Sequence, residues 1–137
     1  MKKAIVSTIS TILTLVCILC LASCNTVDKT GLWENATYLK DMEFGKGAQT
    51  VVVEVKAEDQ TVTFTLHTDK DTVGAALLEH GLIAGENGLY TVVNGMTADW
   101  DADQSYWAFY IDGAYASTGL DDTDITEGAV YRLEYTK

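Results

Sequence analysis

"TVVVEVKAEDQTVTFTLHT", residues 50–68, decides the fold. Val51, Val53 and Val55 alternate with Val52, Glu54 and Lys56, and Val62, Phe64 and Leu66 alternate with Thr61, Thr63, Thr65 and His67. In extended chain, successive side chains point to opposite faces, so each run reads as a strand with one buried face. The polar "AEDQ" between them, residues 57–60, reads as the turn of a β-hairpin. Thr63, Thr65 and His67 are then expected on the outward face.

Working toward the C-terminus, Asp71 or Thr72 is placed to cap a helix whose apolar positions Val73, Ala76, Leu77 and His80 fall at helical spacing, with Gly81 as the left-handed residue that ends it. The helix should run for about ten residues and lie across the sheet. "GLYTVVNG" (88–95) and "SYWAFYIDG" (105–113) read as strands ending in Asn-Gly and Asp-Gly, dipeptides favoured in two-residue hairpin turns. "AYAST" (114–118) can return antiparallel, and "AVYRLEYTK" (129–137) alternates Tyr131, Leu133 and Tyr135 against Val130, Arg132 and Glu134 after a turn at Glu127-Gly128. A hairpin, a helix and then further strands define an α+β fold, expected as a β-grasp-like mixed sheet with one short helix packed across it.

Working toward the N-terminus, residues 25–49 have no sustained period, yet Trp33, Tyr38, Leu39, Met42 and Phe44 are too apolar for a pure linker. Residues 24–49 are read as a tether and partly docked leader to a domain at 50–137. Before them, Lys2 and Lys3 precede an uncharged stretch at 4–23, the pattern of a secretory signal peptide over residues 1–23. "LASC", ending at Cys24, resembles the lipobox of bacterial lipoproteins, which implies lipidation of Cys24 and attachment to the extracellular face of the cell membrane. An uncleaved anchor is the alternative, since about 20 apolar residues can span a bilayer.

The chain carries 20 acidic and 9 basic residues, net −11; without Lys2 and Lys3 the balance becomes 7 against 20, or −13. Such a charge disfavours nucleic acid and anionic lipid headgroups and suits cations or cationic partners. With Cys17 and Cys20 in the signal and Cys24 as the lipid site, no thiol remains for a disulfide, a zinc site or a nucleophile. The domain must therefore be held together by its core.

Several short motifs in sequence order carry a family likeness. Thr68-Asp69-Lys70, Asp71-Thr72-Val73, Ala76-Leu77 before a Gly, "YTVVNG", "YWAFYIDG" with Gly119 six residues on, and "ITEG" before "YRLEY" together resemble the transcobalamin-like C-terminal domain family over residues 50–136. Glu127-Gly128-Ala129 departs from the Gly-Asp that relatives usually carry after that turn. In the animal members this domain closes over cobalamin held on a helical barrel. The resemblance thus implies a small organic ligand, such as a corrinoid, and a transporter or surface protein as partner.

Asp99, Asp101 and Asp103 have the D-x-D-x-D spacing of a calcium loop, but Gln104 and Tyr110 stand where an EF-hand needs Gly and Glu. In extended chain alternate carboxylates lie about 6.6 Å apart, so these three could share a calcium ion only if the loop curls. Asp121, Asp122 and Asp124 form a second acidic cluster that could complete such a site, and both clusters read equally as solvated turns. His67 and His80, the only imidazoles, lack metal-ligand spacing and are expected at the surface and at the helix boundary. In "YWAFYI", Trp107, Phe109 and Ile111 should enter the core while Tyr106, Ala108 and Tyr110 face outward. With Trp100 and Tyr115, the tyrosines would form an amphipathic platform for a flat ligand or a protein partner. No nucleophile elbow, zinc-protease helix or phosphate loop occurs, so an enzyme is not expected.

Overall fold

The computed structural model describes residues 25–137. The expected signal peptide over residues 1–23 and the expected lipid site, Cys24, lie outside the described residues. Nine strands are present: β1 (Met42–Gly45), β2 (Gln49–Ala57), β3 (Gln60–Thr68), β4 (Ile83–Glu86), β5 (Leu89–Val93), β6 (Met96–Thr97), β7 (Tyr106–Ile111), β8 (Ala114–Tyr115) and β9 (Val130–Thr136). The helices are α1 (Val73–Glu79) and a single turn, α2 (Trp100–Asp103). Among the described residues, no helix is long and apolar enough to cross a membrane.

The opening stretch forms its hairpin in the expected register, with Val51 opposite Leu66, Val53 opposite Phe64 and Val55 opposite Val62. The turn is Glu58-Asp59, both at positive φ (49° and 65°). That conformation matches the right-handed twist of the two strands. β9 then pairs in parallel with β2, and β7 antiparallel with β9, giving a mixed sheet in the order β1-β3-β2-β9-β7-β8. Registry places Phe64, Val53, Tyr131 and Ile111 in one row across the inner face and Val62, Val55, Leu133 and Phe109 in the next. Most of these side chains are fully buried, and removing one as large as Phe64 would cost about 3–5 kcal/mol.

α1 covers that face through Val73, Ala76 and Leu77. Its cap is Thr72, whose hydroxyl accepts from the Ala75 N–H at 3.2 Å. The helix is seven residues long rather than ten, because His80 already leaves helical geometry and Gly81 turns left-handed at φ 66°. Gly74 lets the loop after β8 approach: a Cβ there would collide with the Asp121 carboxylate.

One feature departs from the sequence expectation. The strand around "YTVV" does not join the main sheet; β4, which the sequence pattern did not reveal, pairs with β5, and β5 with β6, as a separate three-stranded sheet. Only Ile83 of β4 is buried, so that strand has no period to read. Residues of the leader pack on the domain. Trp33 is fully buried and its Nε1 donates to the Ala57 carbonyl at 2.9 Å, while β1 adds an edge strand parallel to β3. Asn94, 1% exposed, holds the leader from the opposite side: its amide accepts from Tyr38 N–H and donates to Tyr38 C=O, both at 2.9 Å. The buried core runs from Val27 to Leu133, so residues 25–137 contain a complete core of their own.

Candidate functional site

The outward side of β7 carries the aromatic face. Registry puts Tyr110 opposite Tyr115 of β8 and opposite Arg132 of β9. Tyr110 and Tyr115 meet edge to face at 5.4 Å between centroids, and Trp100 and Tyr106 do the same at 6.0 Å. Tyr115 also lies close enough to Tyr106 to act on its ionisation: the Tyr106 phenol is pushed up by desolvation first, then by Tyr115 and Tyr110. The four side chains named from the sequence are thus one continuous surface. Trp100 is 59% exposed, Tyr115 63% and Tyr106 38%, while Tyr110 is half-buried.

Tyr110 owes its cover to Arg132, whose guanidinium lies 4.5 Å above the phenol ring. Arg132 Nε is 3.2 Å from Glu134 Oε2, and Lys56 reaches the same carboxylate at 3.7 Å. Sequence reasoning placed Arg132 outward but not beside Tyr110, which only the β7–β9 register shows. Ala108 departs from expectation. It points outward in registry yet is 1% exposed, because a methyl group flanked by Tyr106, Tyr110 and, across the strands, Glu134 is smaller than its surroundings.

The acidic residues serve local structure. Asp99 caps α2, its Oδ1 accepting from the N–H groups of Asp101 (3.0 Å) and Ala102 (3.1 Å), while its own N–H donates to Ser105 Oγ at 2.8 Å. Asp103 accepts from the Ser105 hydroxyl at 2.5 Å and lies 3.3 Å from Lys137 Nζ. The Ser105 hydroxyl, and secondarily Lys137, hold the Asp103 carboxyl below its ordinary value. Asp101 is exposed. The segment does curl, as a calcium loop would require, but it curls so that the carboxylates meet backbone donors.

In the second cluster, Asp121 accepts from the Tyr90 hydroxyl at 2.6 Å, Asp124 makes an isolated backbone bridge with Thr72, and Asp122 is exposed. Burial, followed by the Asp121 hydrogen bond and charge, pushes the Tyr90 phenol up to about 12. Among the described residues, no three His, Cys, Asp or Glu side chains converge to hold a metal ion, so Asp121, Asp122 and Asp124 do not join Asp99, Asp101 and Asp103 in one site.

The imidazoles are also structural. His67 Nε2 lies 2.5 Å from Glu43 of β1 and its Nδ1 3.3 Å from Thr50 Oγ1, which leaves it half-buried rather than at the surface. His80 stacks on Phe44 at 5.5 Å. Its Nε2 is 3.3 Å from Glu79 Oε1 without hydrogen-bond geometry, a proximity rather than a bond.

Sequence reasoning missed a groove between the two sheets. Leu89, Tyr90 and Trp107 wall two adjoining recesses, one of about 130 Å³ reaching Phe109, Leu120 and Leu133, the other of about 120 Å³ reaching Trp100 and Tyr106. The available signal was a large apolar residue at the start of a strand: Leu89, paired with Glu86 on its own sheet, is 72% exposed on β5.

No protein-family model matches the sequence, and no curated protein matches it. Among solved structures, the fold is similar to a Ruminococcus gnavus ATCC 29149 protein provisionally described as metal binding, at 26% identity and a TM-score of 0.61, covering 65% of this chain and 97% of that one. It is also similar to haptocorrin in complex with Cbi, at 16% identity and a TM-score of 0.52, covering 69% of this chain. The chain spans only 26% of haptocorrin, and at that identity the likeness is one of fold. The molecule is therefore an α+β domain whose fold is related to both.

Proposed function

We propose that this chain is a binding module of β-grasp type, anchored through lipid on Cys24 at the extracellular face of a bacterial membrane, which captures a small organic ligand on the face formed by Trp100, Tyr106, Tyr110 and Tyr115. The observation that carries the reading is the continuity of that face. Three exposed aromatic side chains and the half-buried Tyr110, packed as two edge-to-face pairs, are unusual on a monomer surface and suit a flat, partly apolar ligand. The parallel pairing of β2 with β9 beneath a single covering helix supports the β-grasp assignment. The related fold of haptocorrin makes a corrinoid the first ligand to test, with delivery to a transporter as the role.

Cobinamide titrated into residues 25–137 should change its visible spectrum saturably. Tyr106→Ala and Tyr110→Ala should each weaken that binding at least about fivefold, the loss of roughly 1 kcal/mol, without unfolding the domain. No spectral change up to ~0.1 mM excludes all but a very weak corrinoid site. Binding that survives both substitutions refutes the platform. For the anchor, Cys24→Ser in the full chain should release the protein from membranes or leave its signal uncleaved.

Calcium binding is the second reading, favoured by the likeness to the Ruminococcus protein. Asp99 and Asp103 would have to exchange the N–H and hydroxyl donors they now hold for the ion. A cation bound only by the native state must raise stability, so an unchanged melting temperature in millimolar calcium would dismiss it.

A further inference from the structure

We propose that the groove between β5 and β7 is a second element of the binding site, taking a neutral ring with a hydrogen-bond acceptor, its acceptor met by the Trp107 indole N–H. The inference rests on the reading of the chain as a small-ligand binder and adds to it a site on the far side of β7 from the tyrosine platform. Three observations converge on it.

The first is an unmet donor. Trp107 is 9% exposed, its Nε1 is closed to solvent, and no acceptor lies within hydrogen-bond reach, so a ligand in the groove bonds it only by displacing part of the wall. Trp33, the other buried tryptophan, bonds the Ala57 carbonyl through the same atom. Buried indole N–H groups ordinarily find a partner, and one left without costs the full desolvation of a polar group. The second is space beside that side chain. Trp107 walls both recesses, and each, at about 120–130 Å³, is close to the size of cavity that holds one benzene ring. The third is the chemistry of the walls. Leu89, Phe109, Leu120, Leu133 and Trp100 make them largely apolar, while the Asp121 carboxylate that accepts from Tyr90 and a net charge of −11 oppose an anion. An aromatic or alicyclic carbonyl compound answers all three conditions. Trp100 and Tyr106 line one recess and also belong to the outward face, so a larger ligand could lie on the platform and turn over the edge of β7 into the groove.

The test uses ¹⁵N-labelled 25–137, in which Trp33, Trp100 and Trp107 give three indole resonances, assigned by Trp107→Phe. Benzamide is the probe, and isopropylbenzene, of similar size without an acceptor, is its control. Benzamide should move the Trp107 indole proton downfield. In Trp107→Phe, which retains a ring in the wall, the affinity for benzamide relative to isopropylbenzene should fall at least about fivefold, the worth of one net hydrogen bond, while isopropylbenzene binding persists. A Trp107 resonance unmoved by benzamide at about 10 mM, the weak limit for a fragment of this size, overturns the proposal. So does a benzamide-to-isopropylbenzene affinity ratio that is unchanged in Trp107→Phe. Should the groove fail while Tyr106→Ala still weakens cobinamide binding, the platform stands without it; should both fail, the module reading falls as well.

Discussion

Asn94→Gly isolates what one buried side chain contributes to docking the leader. Asn94 sits at φ 49° in the turn between β5 and β6, and its amide satisfies both the N–H and the C=O of Tyr38. Glycine adopts that backbone conformation without penalty, so the substitution removes the two hydrogen bonds and little else. Each contributes about 0.5–1.5 kcal/mol net, and an unsatisfied buried partner costs about 1–3 kcal/mol. Tyr38 is only half-buried and water can reach part of the gap, so the lower half of the range applies, about 2 kcal/mol in all. Asn94→Ala adds the left-handed strain of a Cβ, about 1 kcal/mol, for a total near 3. In urea, with a slope of about 1.5 kcal/mol/M for a domain of this size, the glycine variant should lose roughly 1.3 M in midpoint and the alanine variant roughly 2 M. Tryptophan fluorescence follows the transition directly, since Trp33 lies in the docked leader. If Asn94→Gly lies within about 0.5 kcal/mol of the parent, the Asn94 clamp does not hold the leader, and the reasoning is wrong.

Trp33→Phe keeps the ring in the core but leaves the Ala57 carbonyl without its donor, and should cost about 1–2 kcal/mol by the same urea assay. Tyr90→Phe removes the bond to Asp121 and should cost about 1 kcal/mol at neutral pH, this pair being partly solvated. The pH dependence of that bond has a definite sign. Because the folded state pushes the Tyr90 phenol from 10.0 up to about 12, its contribution is complete below pH 10 and disappears as pH rises toward 12. Parent and Tyr90→Phe stabilities should therefore converge over that interval, and a constant difference would exclude the linkage. Ser105→Ala should act at the other extreme. With Asp103 held low mainly by that hydroxyl, its stabilising effect is present above the ordinary carboxylate pKa and lost on acidification, so the variant should show a shallower acid limb than the parent.

The main sheet was legible because its strands alternate cleanly. The valines of β2, Phe64 in β3 and Leu133 in β9 announce both the buried face and the register, and Thr72, Gly81, Asn94-Gly95 and Asp112-Gly113 mark the ends of elements by their own backbone preferences. β4 was not legible. With one buried residue and a bulge between Ala84 and Gly85 it has neither period nor propensity, and it is a strand because β5 lies beside it. The apolar residues of the leader announced packing but not their partners: Trp33 is held by the carbonyl of Ala57, distant in sequence, and β1 by the edge of β3, both contacts that no local pattern records.

The candidate site divides along the same line. Alternation within one strand was enough to turn Tyr106 and Tyr110 outward, and the two-residue turn at Asp112-Gly113 was enough to bring Tyr115 back to Tyr110. The aspartates left two readings open because carboxylate spacing describes cation sites and helix caps equally well. What separates the two is which donors lie within reach once the chain folds. At Asp99 these are the N–H groups of the following turn, at Asp103 the Ser105 hydroxyl and Lys137, and at Asp121 the Tyr90 phenol on another sheet. Each bond stabilises the loop that carries the platform or walls the groove, so neutralising Asp99 or Asp121 should disturb organic-ligand binding even if neither residue touches the ligand. Asp99→Ala removes the cap beneath Trp100, and Asp121→Asn leaves a weaker, neutral acceptor for Tyr90. Both should weaken cobinamide or benzamide capture in water free of divalent ions. A loss of binding that appears only when calcium is withheld from the parent would assign the carboxylates to the ion instead.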